Sequence, residues 1–527
     1  MSGYRARGDS RIMGQSRNNI AKNSLLIAVL VCAGKVLGFI KQSVIAWGYG
    51  ANTATDLFFA ADGFTSTIAN VLSMSIAPAV LTAYLLIRNE KGDKDADSLI
   101  GRSLLFFSAI GIILIVINSV FSAGIADVIG ISYAPDQKKT LGIYVIILSA
   151  SILFASMAGV LQGYLNANSN YAPGRLAGLF YSVFMILGVF LFRNTLGVGA
   201  LILGFLTGYA LHTIFLMVYA RKVVRFPSGN MFSDSDFRHM LRNFVPLLIS
   251  LSIVDFGHLI DKIIASSLEE GSVSILNYGQ VISSDLVNAV VITTVGTVLL
   301  TSFTDSVSKG ERQEVISSSI QNVITTLCFL VLLLTSLYYV EGNDLIEVIL
   351  QRGNFNASGT SRVYSVAFFY ALGFIFMAIR EILVKAHYAY QDMKAPVLNS
   401  AVGVVTNLVL SIVLSRTLEV SGIALATSIS LLVVSVLSAL TLKKHIGELI
   451  INGPVCLDFL KMAVCCAAAV AAGLLLRNRI ESMAHVIRMI LVGSVMCAVY
   501  FLIALIIRER VVVGTTEKVI SRLRKKQ

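Results

Sequence analysis

Residues 34–62, GKVLGFIKQSVIAWGYGANTATDLFFAAD, place four charges within an otherwise apolar helical hairpin. The pattern predicts the end of one transmembrane helix, a tight turn at 48–55 and the start of the next helix. Lys35 and Lys41 lie on the first helix, and Asp56 and Asp62 lie on the second. A charge at the centre of a bilayer costs at least ~2.5–3.5 kcal/mol. These side chains therefore either snorkel to the interface or line a wet cavity.

The composition is that of a membrane protein. The chain has 527 residues, of which 56% are hydrophobic and 14% charged, whereas a soluble domain carries about 25% charged residues. We therefore expect an all-α, polytopic membrane protein. The net charge of +12 comes without a basic run interleaved with aromatic residues, so nucleic acid is not an expected partner.

Signatures of catalysis are missing from the sequence. The six cysteines have no metal-like spacing, and there is no Walker-type loop, HExxH motif or nucleophile elbow. The hydrophilic loops are too short to hold a catalytic domain. We therefore do not expect an enzyme.

Apolar runs of at least about 18 residues predict fourteen transmembrane helices. Their expected spans are 24–48, 56–87, 101–123, 141–166, 173–192, 197–219, 241–268, 273–302, 317–340, 363–390, 396–415, 421–442, 457–476 and 485–507. A polar segment at 1–22 precedes them, and a basic tail at 509–527 follows. Lysine and arginine are concentrated in the connections on one side, so both termini are expected in the cytoplasm.

The sequence repeats itself with a nearly constant offset. LQGYLNANSNYAP at 161–173 matches VKAHYAYQDMKAP at 384–396, and Gly199 matches Gly422, each offset by 223 residues. The repeat predicts two six-helix lobes at 23–222 and 238–445, with two helices appended at 455–508. Because six is even, the two lobes have the same orientation, as in transporters whose lobes rock around a central site.

Polar residues are concentrated in the seventh and eighth predicted helices. Asp255, His258 and Lys262 are spaced i, i+3 and i+7 and so share one helix face. Together with the first hairpin, this stripe predicts a hydrated cleft between the lobes. The alternative is a packed interface in which Asp261 and Lys262 neutralise partners.

These segments are recognisable. The hairpin at 34–62 resembles the first hairpin of the MurJ (MviN) lipid II flippase family: a basic residue, Leu-Gly-Phe, a second basic residue, then Gly-Ala and Thr-Asp-x-Phe-Phe. Three further segments are similar to family motifs: EEGSVSILNYG (269–279), KAHYAYQDMKAPV (385–397) and GIALATSIS (422–430). The resemblance covers essentially the whole chain and implies the multidrug/oligosaccharidyl-lipid/polysaccharide exporter superfamily.

The resemblance implies that a polyprenyl-pyrophosphate-linked glycan crosses the membrane by alternating access. Lys35 and Lys41 fall on the two basic positions of the family's first helix, and Asp56 falls on its second-helix aspartate. The two lysines would hold the pyrophosphate, since such a headgroup needs cations in a wet cleft. Asp56 would orient or release them as the lobes exchange.

Two arginines of the family pattern are absent. Their positions hold Ala69 and Val281, and His258 and Lys262 are the candidates to replace them in binding substrate. Lysine also lacks the bidentate fork of arginine. Lipid II stays the first candidate substrate, but these departures keep other lipid-linked glycans open.

The resemblance also implies a sodium ion as the coupling ion, and no other cofactor. The matching positions are Asp261, Asn407, Ser411, Ile423 through its carbonyl, and Thr427. A carboxylate with amide, hydroxyl and carbonyl oxygens suits a hard cation. Ser411 replaces a second carboxylate of the pattern, which should weaken the site.

The leading hypothesis is a lipid II flippase of the cell membrane, with the lipid-linked glycan, membrane lipids and the cell-wall synthesis machinery as partners. An exporter of another lipid-linked saccharide, such as an exopolysaccharide or O-antigen unit, is the runner-up. A drug or cation antiporter comes third. A membrane scaffold for envelope assembly that does not transport is the alternative from a different class.

Overall fold

The computed structural model describes residues 30, 33–221, 223, 234–285, 287 and 303–512, apart from the side chains of residues 250, 251, 253 and 254. Within these ranges the chain is helical and contains no strand, which confirms the predicted fold class. The predicted segment at 1–22, residues 513–527 of the predicted tail at 509–527, and most of the eighth predicted helix lie outside the described residues.

Each apolar run has a helical counterpart among the described residues. The first helix is described over 33–49. The others are Thr53–Lys91, Asp93–Val120, Ser122–Ile129, Pro135–Leu148, Ala150–Ala167, Ala172–Arg175, Ala177–Leu196, Gly199–Tyr219, Ser235–Ala265, Ser272–Gln280, Gln313–Leu350, Ala357–Leu372, Phe374–Ala389, Lys394–Ile446, Gly453–Arg479 and His485–Ile506. A π-helical turn, Val281–Asp285, continues the Ser272–Gln280 helix.

Nine helices in the described ranges are long and apolar enough to cross a membrane, or ten when the bent pair Ala357–Leu372 and Phe374–Ala389 counts as one span. The Lys394–Ile446 helix has 53 residues, about 80 Å at 1.5 Å per residue, which is far longer than one crossing. Glu419 has a φ of 51° and interrupts it, where the sequence predicts a connection between two spans. The chain is thus a multi-pass membrane protein, and the total of fourteen spans stays a prediction.

The described chain divides into two compact units. The first contains the residues up to Gly48 and Leu57–Leu259; the second contains Tyr49–Asp56 and the residues from Ile260 onward. The division falls within the Ser235–Ala265 helix, whereas the sequence repeat places a boundary before it. The predicted lobe limits therefore stay predictions.

In the first unit, small residues allow close helix packing. A Cβ added to Gly204 would lie 2.5 Å from the Phe184 carbonyl oxygen, and one added to Gly188 would lie 2.6 Å from the Ala200 oxygen. The Ala177–Leu196 and Gly199–Tyr219 helices therefore approach backbone to backbone. Such packing stabilises helix pairs where lipid removes the hydrophobic drive for association.

In the second unit, a buried ion-pair network joins the two C-terminal helices to the Gln313–Leu350 helix. Asp344 is only 2% exposed, and its Oδ2 accepts hydrogen bonds from Arg488 Nε at 2.9 Å and Nη2 at 2.6 Å. Its Oδ1 accepts from Arg477 Nη2 at 3.1 Å. Because one buried carboxylate meets two guanidinium groups, the ends of three helices are held in one arrangement.

Candidate functional site

The turn that follows the first helix is shaped by a reciprocal cap. Asn52 Oδ1 accepts hydrogen bonds from the backbone N–H of Ala54 and Thr55, at 3.0 and 3.2 Å, and Thr55 Oγ1 accepts from the Asn52 N–H at 3.0 Å. These bonds satisfy backbone donors that the first turn of a helix leaves unpaired. The Thr53–Lys91 helix therefore begins at a fixed position, with Asp56 in its first turn.

Asp56 is bound to the start of a distant helix. Its Oδ2 accepts from the Gly271 N–H at 2.8 Å, and its Oδ1 accepts from the Ser274 N–H at 2.8 Å and from Ser274 Oγ at 2.6 Å. These donors begin the Ser272–Gln280 helix, where the helix dipole also favours a negative charge. Asp56 is 2% exposed, so this carboxylate caps a helix from 215 residues away and is shielded from water.

The close approach of the two segments depends on glycine. Gly271 has a φ of +84°, and a Cβ there would lie 2.9 Å from the Ala51 carbonyl oxygen. Gly50 has a φ of +74°, and a Cβ there would lie 2.5 Å from the Asn354 oxygen. The Tyr278 hydroxyl donates to the Gly50 carbonyl at 3.1 Å. A larger residue at Gly271 would force the two segments apart, and one at Gly50 would push the turn away from Asn354.

A second layer of polar contacts covers the Asp56 cap. Glu270 Oε1 accepts from the Thr53 N–H at 2.8 Å and from Thr53 Oγ1 at 2.7 Å. These two bonds lower the pKa of Glu270. Arg362 donates to the Glu270 carbonyl at 3.1 Å and to Ser272 Oγ at 3.0 Å. We name residues 49–56 together with 270–278 the hairpin clasp.

Sequence reasoning missed Glu270, Arg362 and Tyr278 as members of this site. The segment EEGSVSILNYG carries Glu270 and Tyr278 and was recognised only as a motif. No local pattern points from Glu270 to Thr53, since 217 residues separate them.

The other residues predicted to bind substrate lie outside the clasp. Lys35 is exposed and Lys41 half-buried on the helix at 33–49, and their six-residue spacing turns them about 120° apart at 100° per residue. His258 is exposed and Lys262 half-buried on the Ser235–Ala265 helix. Lys35, Lys41 and His258 belong to the first unit, and Asp56 and Lys262 to the second.

Asp62 has its own surroundings in the first unit. Ser66 Oγ donates to Asp62 Oδ1 at 2.6 Å, one turn along the same helix. On the Gly199–Tyr219 helix, Tyr209 stacks on Tyr181 with ring centroids 4.0 Å apart. The structure thus gives Asp62 a neutral hydroxyl partner.

The five residues matched to a sodium site lie in one polar cluster of the second unit. Asp261 is 4% exposed; Ser411 Oγ lies 3.3 Å from its Oδ1, and Thr427 Oγ1 lies 3.4 Å from its Oδ2. Thr427 Oγ1 also lies 3.1 Å from the Ile423 carbonyl oxygen. In the amide orientation that satisfies both of its atoms, Asn407 donates to Asp261 Oδ1 at 2.9 Å and its oxygen faces Thr427 Oγ1 at 3.0 Å.

This cluster contains more hydrogen-bond acceptor oxygens than protons to donate to them. The single Thr427 hydroxyl proton faces oxygens of Asp261, Ile423 and Asn407. A cation could take the place of the missing hydrogen-bond donors, since hard cations bind carboxylate, carbonyl and hydroxyl oxygens. The oxygen atoms of this cluster are therefore chemically suited to bind a hard cation.

Comparison with known proteins gives one consistent family. The model of the family "Lipid II flippase MurJ" matches residues 45–494. Relatives named "Probable lipid II flippase MurJ" include those of Rhizobium tropici (24% identical, covering 78% of this chain and 79% of the relative) and Thermotoga maritima (22% identical, covering 90% and 94%).

Solved structures agree on the fold. A lipid II flippase MurJ in an inward closed conformation matches with a TM-score of 0.78 at 19% identity, covering 92% of this chain and 98% of the other. An inward-facing MATE family transporter of the MOP superfamily matches with a TM-score of 0.66 at 12% identity, covering 81% and 99%. Since the family model spans most of the sequence, the chain belongs to the MurJ lipid II flippase family.

Proposed function

We propose that this protein is a flippase that carries lipid II across the cytoplasmic membrane by alternating access. The observation that carries the proposal is the family match over residues 45–494. Lipid II joins a sugar headgroup to a polyprenyl tail through a pyrophosphate, so the headgroup needs a wet, cationic path while the tail stays in lipid. The protein itself makes and breaks no covalent bond in this proposal.

Lys35 and Lys41 supply the positive charge for the pyrophosphate, with His258 and Lys262 as further contacts. Because the two lysines are about 120° apart on their helix, they would contact a headgroup from different directions and not as a bidentate pair. Ammonium groups bind phosphate as point charges without a fixed geometry. Such contacts can form and break as the headgroup moves.

The hairpin clasp would stabilise one state of the transport cycle. Two of the three bonds to Asp56 come from the N–H groups that open the Ser272–Gln280 helix, and they break together if residues 49–56 move away. Freed Asp56 would then meet water and recover its solvation. The clasp is thus a two-state element, with intact bonds in one state and hydration in the other.

Sodium is the proposed coupling ion, bound by Asp261, Asn407, Ser411, Thr427 and the Ile423 carbonyl. The shortage of donors in this cluster supports the proposal. At a sodium concentration tenfold above its dissociation constant, the ion stabilises the folded protein by about 1.4 kcal/mol. The thermal unfolding midpoint should therefore rise in sodium chloride relative to choline chloride.

Asp261→Asn should abolish this sodium-dependent rise, because the only carboxylate of the cluster becomes neutral. Asp255→Asn is the matched control, since Asp255 is a half-buried aspartate on the same helix. If Asp261→Asn retained the full sodium-dependent shift, the ion would bind elsewhere.

Orientation and partners follow from the same proposal. Both termini face the cytoplasm, in keeping with the lysine and arginine bias of the connections. A flippase for lipid II would deliver its cargo to the enzymes that build the cell wall, so this machinery is its proposed partner.

Another lipid-linked oligosaccharide is the second candidate substrate. It is favoured by Ala69, which is fully buried, and by Val281, which lies in the π-helical turn. The resemblance places arginines at these two positions, so this chain offers fewer cations to a headgroup.

Transport by the purified protein in vesicles tests the function. We expect lipid II to be flipped faster than a polyprenyl-linked O-antigen unit, and Lys41→Ala to abolish flipping while expression and thermal stability stay unchanged. Lys41→Arg should retain activity because it keeps the charge. Lys94→Ala, an exposed lysine in the first turn of the Asp93–Val120 helix, is the matched control. Full flipping by Lys41→Ala would refute the role of that lysine, and a preference for the other glycan would establish the second candidate.

A further inference from the structure

A cavity of about 500 Å³ opens at one end of the first unit, and none of the residues assigned to transport is among its lining residues. It lies where the Asp93–Val120 span ends, between the short Ser122–Ile129 helix and the start of the Pro135–Leu148 helix. The lysine and arginine bias predicts that this end faces away from the cytoplasm. Its position at the end of two spans places it at the depth of lipid headgroups.

Charge in the cavity is positive by one unit. Lys138 Nζ lies 3.1 Å from Asp127 Oδ1, so this pair is neutral overall. Lys139 also lines the cavity, is exposed and forms no ion pair with the part of the chain that the structure describes. Two lysines and one aspartate leave a charge of +1 for a ligand to neutralise.

Below the lysines the cavity wall is apolar. Ile143 and Ile146 line it, four and seven residues after Lys139, and therefore follow Lys139 along one helix face over about 10 Å. They are 47% and 36% exposed. A ligand with charge at one end and a hydrocarbon chain at the other matches this order of side chains.

We infer that this cavity binds the headgroup of an anionic phospholipid, with one acyl chain along Ile143 and Ile146. A phosphodiester carries a single negative charge, which equals the unit left by Lys138, Lys139 and Asp127. A pyrophosphate carries more negative charge than one positive unit can neutralise. The site is therefore expected to favour a phospholipid over the pyrophosphate of the transport substrate. A wholly soluble anion would leave the isoleucines without a partner.

Photo-crosslinking in nanodiscs tests the inference on the full chain. Benzoylphenylalanine replacing Ile143 should label phosphatidylglycerol in a saturable way and phosphatidylcholine about tenfold less, read by intact mass. Each lysine near a membrane surface changes the affinity for an anionic lipid about fivefold. The Lys138→Ala/Lys139→Ala double variant should therefore weaken labelling about 25-fold.

Two further variants control for charge and for shape. Lys443→Ala/Lys444→Ala removes an exposed lysine pair elsewhere and should leave labelling unchanged. Gly142→Phe should abolish labelling with both lysines present, because Gly142 lines the cavity and a Cβ there makes only ordinary contact with Ser122, at 3.4 Å.

Three results would overturn the inference. The first is equal labelling of phosphatidylglycerol and phosphatidylcholine, and the second is labelling that survives loss of both lysines. The third is displacement of phosphatidylglycerol by millimolar inorganic phosphate or by equimolar lipid II, which would indicate a soluble-anion site or a substrate site.

Discussion

Asp56→Asn should loosen the hairpin clasp without unfolding the protein. The substitution keeps the shape of the side chain but replaces one carboxylate oxygen by an NH₂ group, in whichever orientation the amide adopts. If the amide oxygen keeps the two Ser274 donors, the NH₂ group faces the Gly271 N–H, two donors in contact. In the opposite orientation the NH₂ group faces the Ser274 N–H, again two donors in contact, while the Ser274 hydroxyl can donate to Thr55 Oγ1 and accept from the amide.

The expected magnitude follows from these bonds. A hydrogen bond to a charged group is worth ~1.5–3 kcal/mol and one to a neutral group ~1 kcal/mol, so the variant loses one strong bond and weakens two. Removal of a buried charge also relieves a desolvation cost, which offsets part of the loss. The net effect is about 2–3 kcal/mol on closing the clasp, a factor of roughly 30–150 in its equilibrium constant.

Hydrogen exchange measured by mass spectrometry on peptides covering 49–56 and 271–280 reports this equilibrium. Protection of both peptides should fall by that factor, while peptides from the Gly453–Arg479 helix stay unchanged. Asp62→Asn is the matched control, because Asp62 is on the same helix and its carboxylate accepts from the Ser66 hydroxyl one turn away. Unchanged protection in Asp56→Asn would refute the reasoning that the cap holds the clasp closed.

Two further predictions concern pH and the buried ion network. Because bonds from Thr53 lower the pKa of Glu270 below its usual 4.5, the stabilisation they give is complete above that pH and is lost as the pH falls through the lowered value. Exchange at Thr53, corrected for the intrinsic rate, should therefore rise only below about pH 4.5, and Glu270→Gln should show no such step. Arg488→Met should destabilise the protein by about 3–5 kcal/mol because it removes two of the bonds to buried Asp344, so its unfolding midpoint should fall clearly. The exposed Arg479→Met should leave that midpoint unchanged, and equal midpoints for the two variants would contradict the importance of the network.

The sequence by itself determined the class of protein and its family. Apolar runs, charge bias and short loops are local properties of the sequence. A bilayer makes an apolar run helical, because each backbone polar group must be hydrogen-bonded within the segment, and the charge bias sets the orientation of the helices. The motifs at 34–62 and 269–279 carried the family resemblance because they are contiguous. The same residues identified Asp56 as important, although the role suggested for it was to orient the lysines.

Only the tertiary structure decided what the buried charges contact. Asp56 meets Gly271 from 215 residues away, and Asp344 meets Arg488 from 144 residues away. Neither pair leaves a periodic signal, since a buried carboxylate needs donors and the chain can supply them from any helix that packs nearby. The cavity at Lys138 and Lys139 is likewise a product of packing. Two adjacent lysines in a sequence do not show that a short helix will pack beside them and line the same cavity. Hydrophobicity acts residue by residue and can be read along the chain, whereas hydrogen bonds and cavities depend on which segments meet.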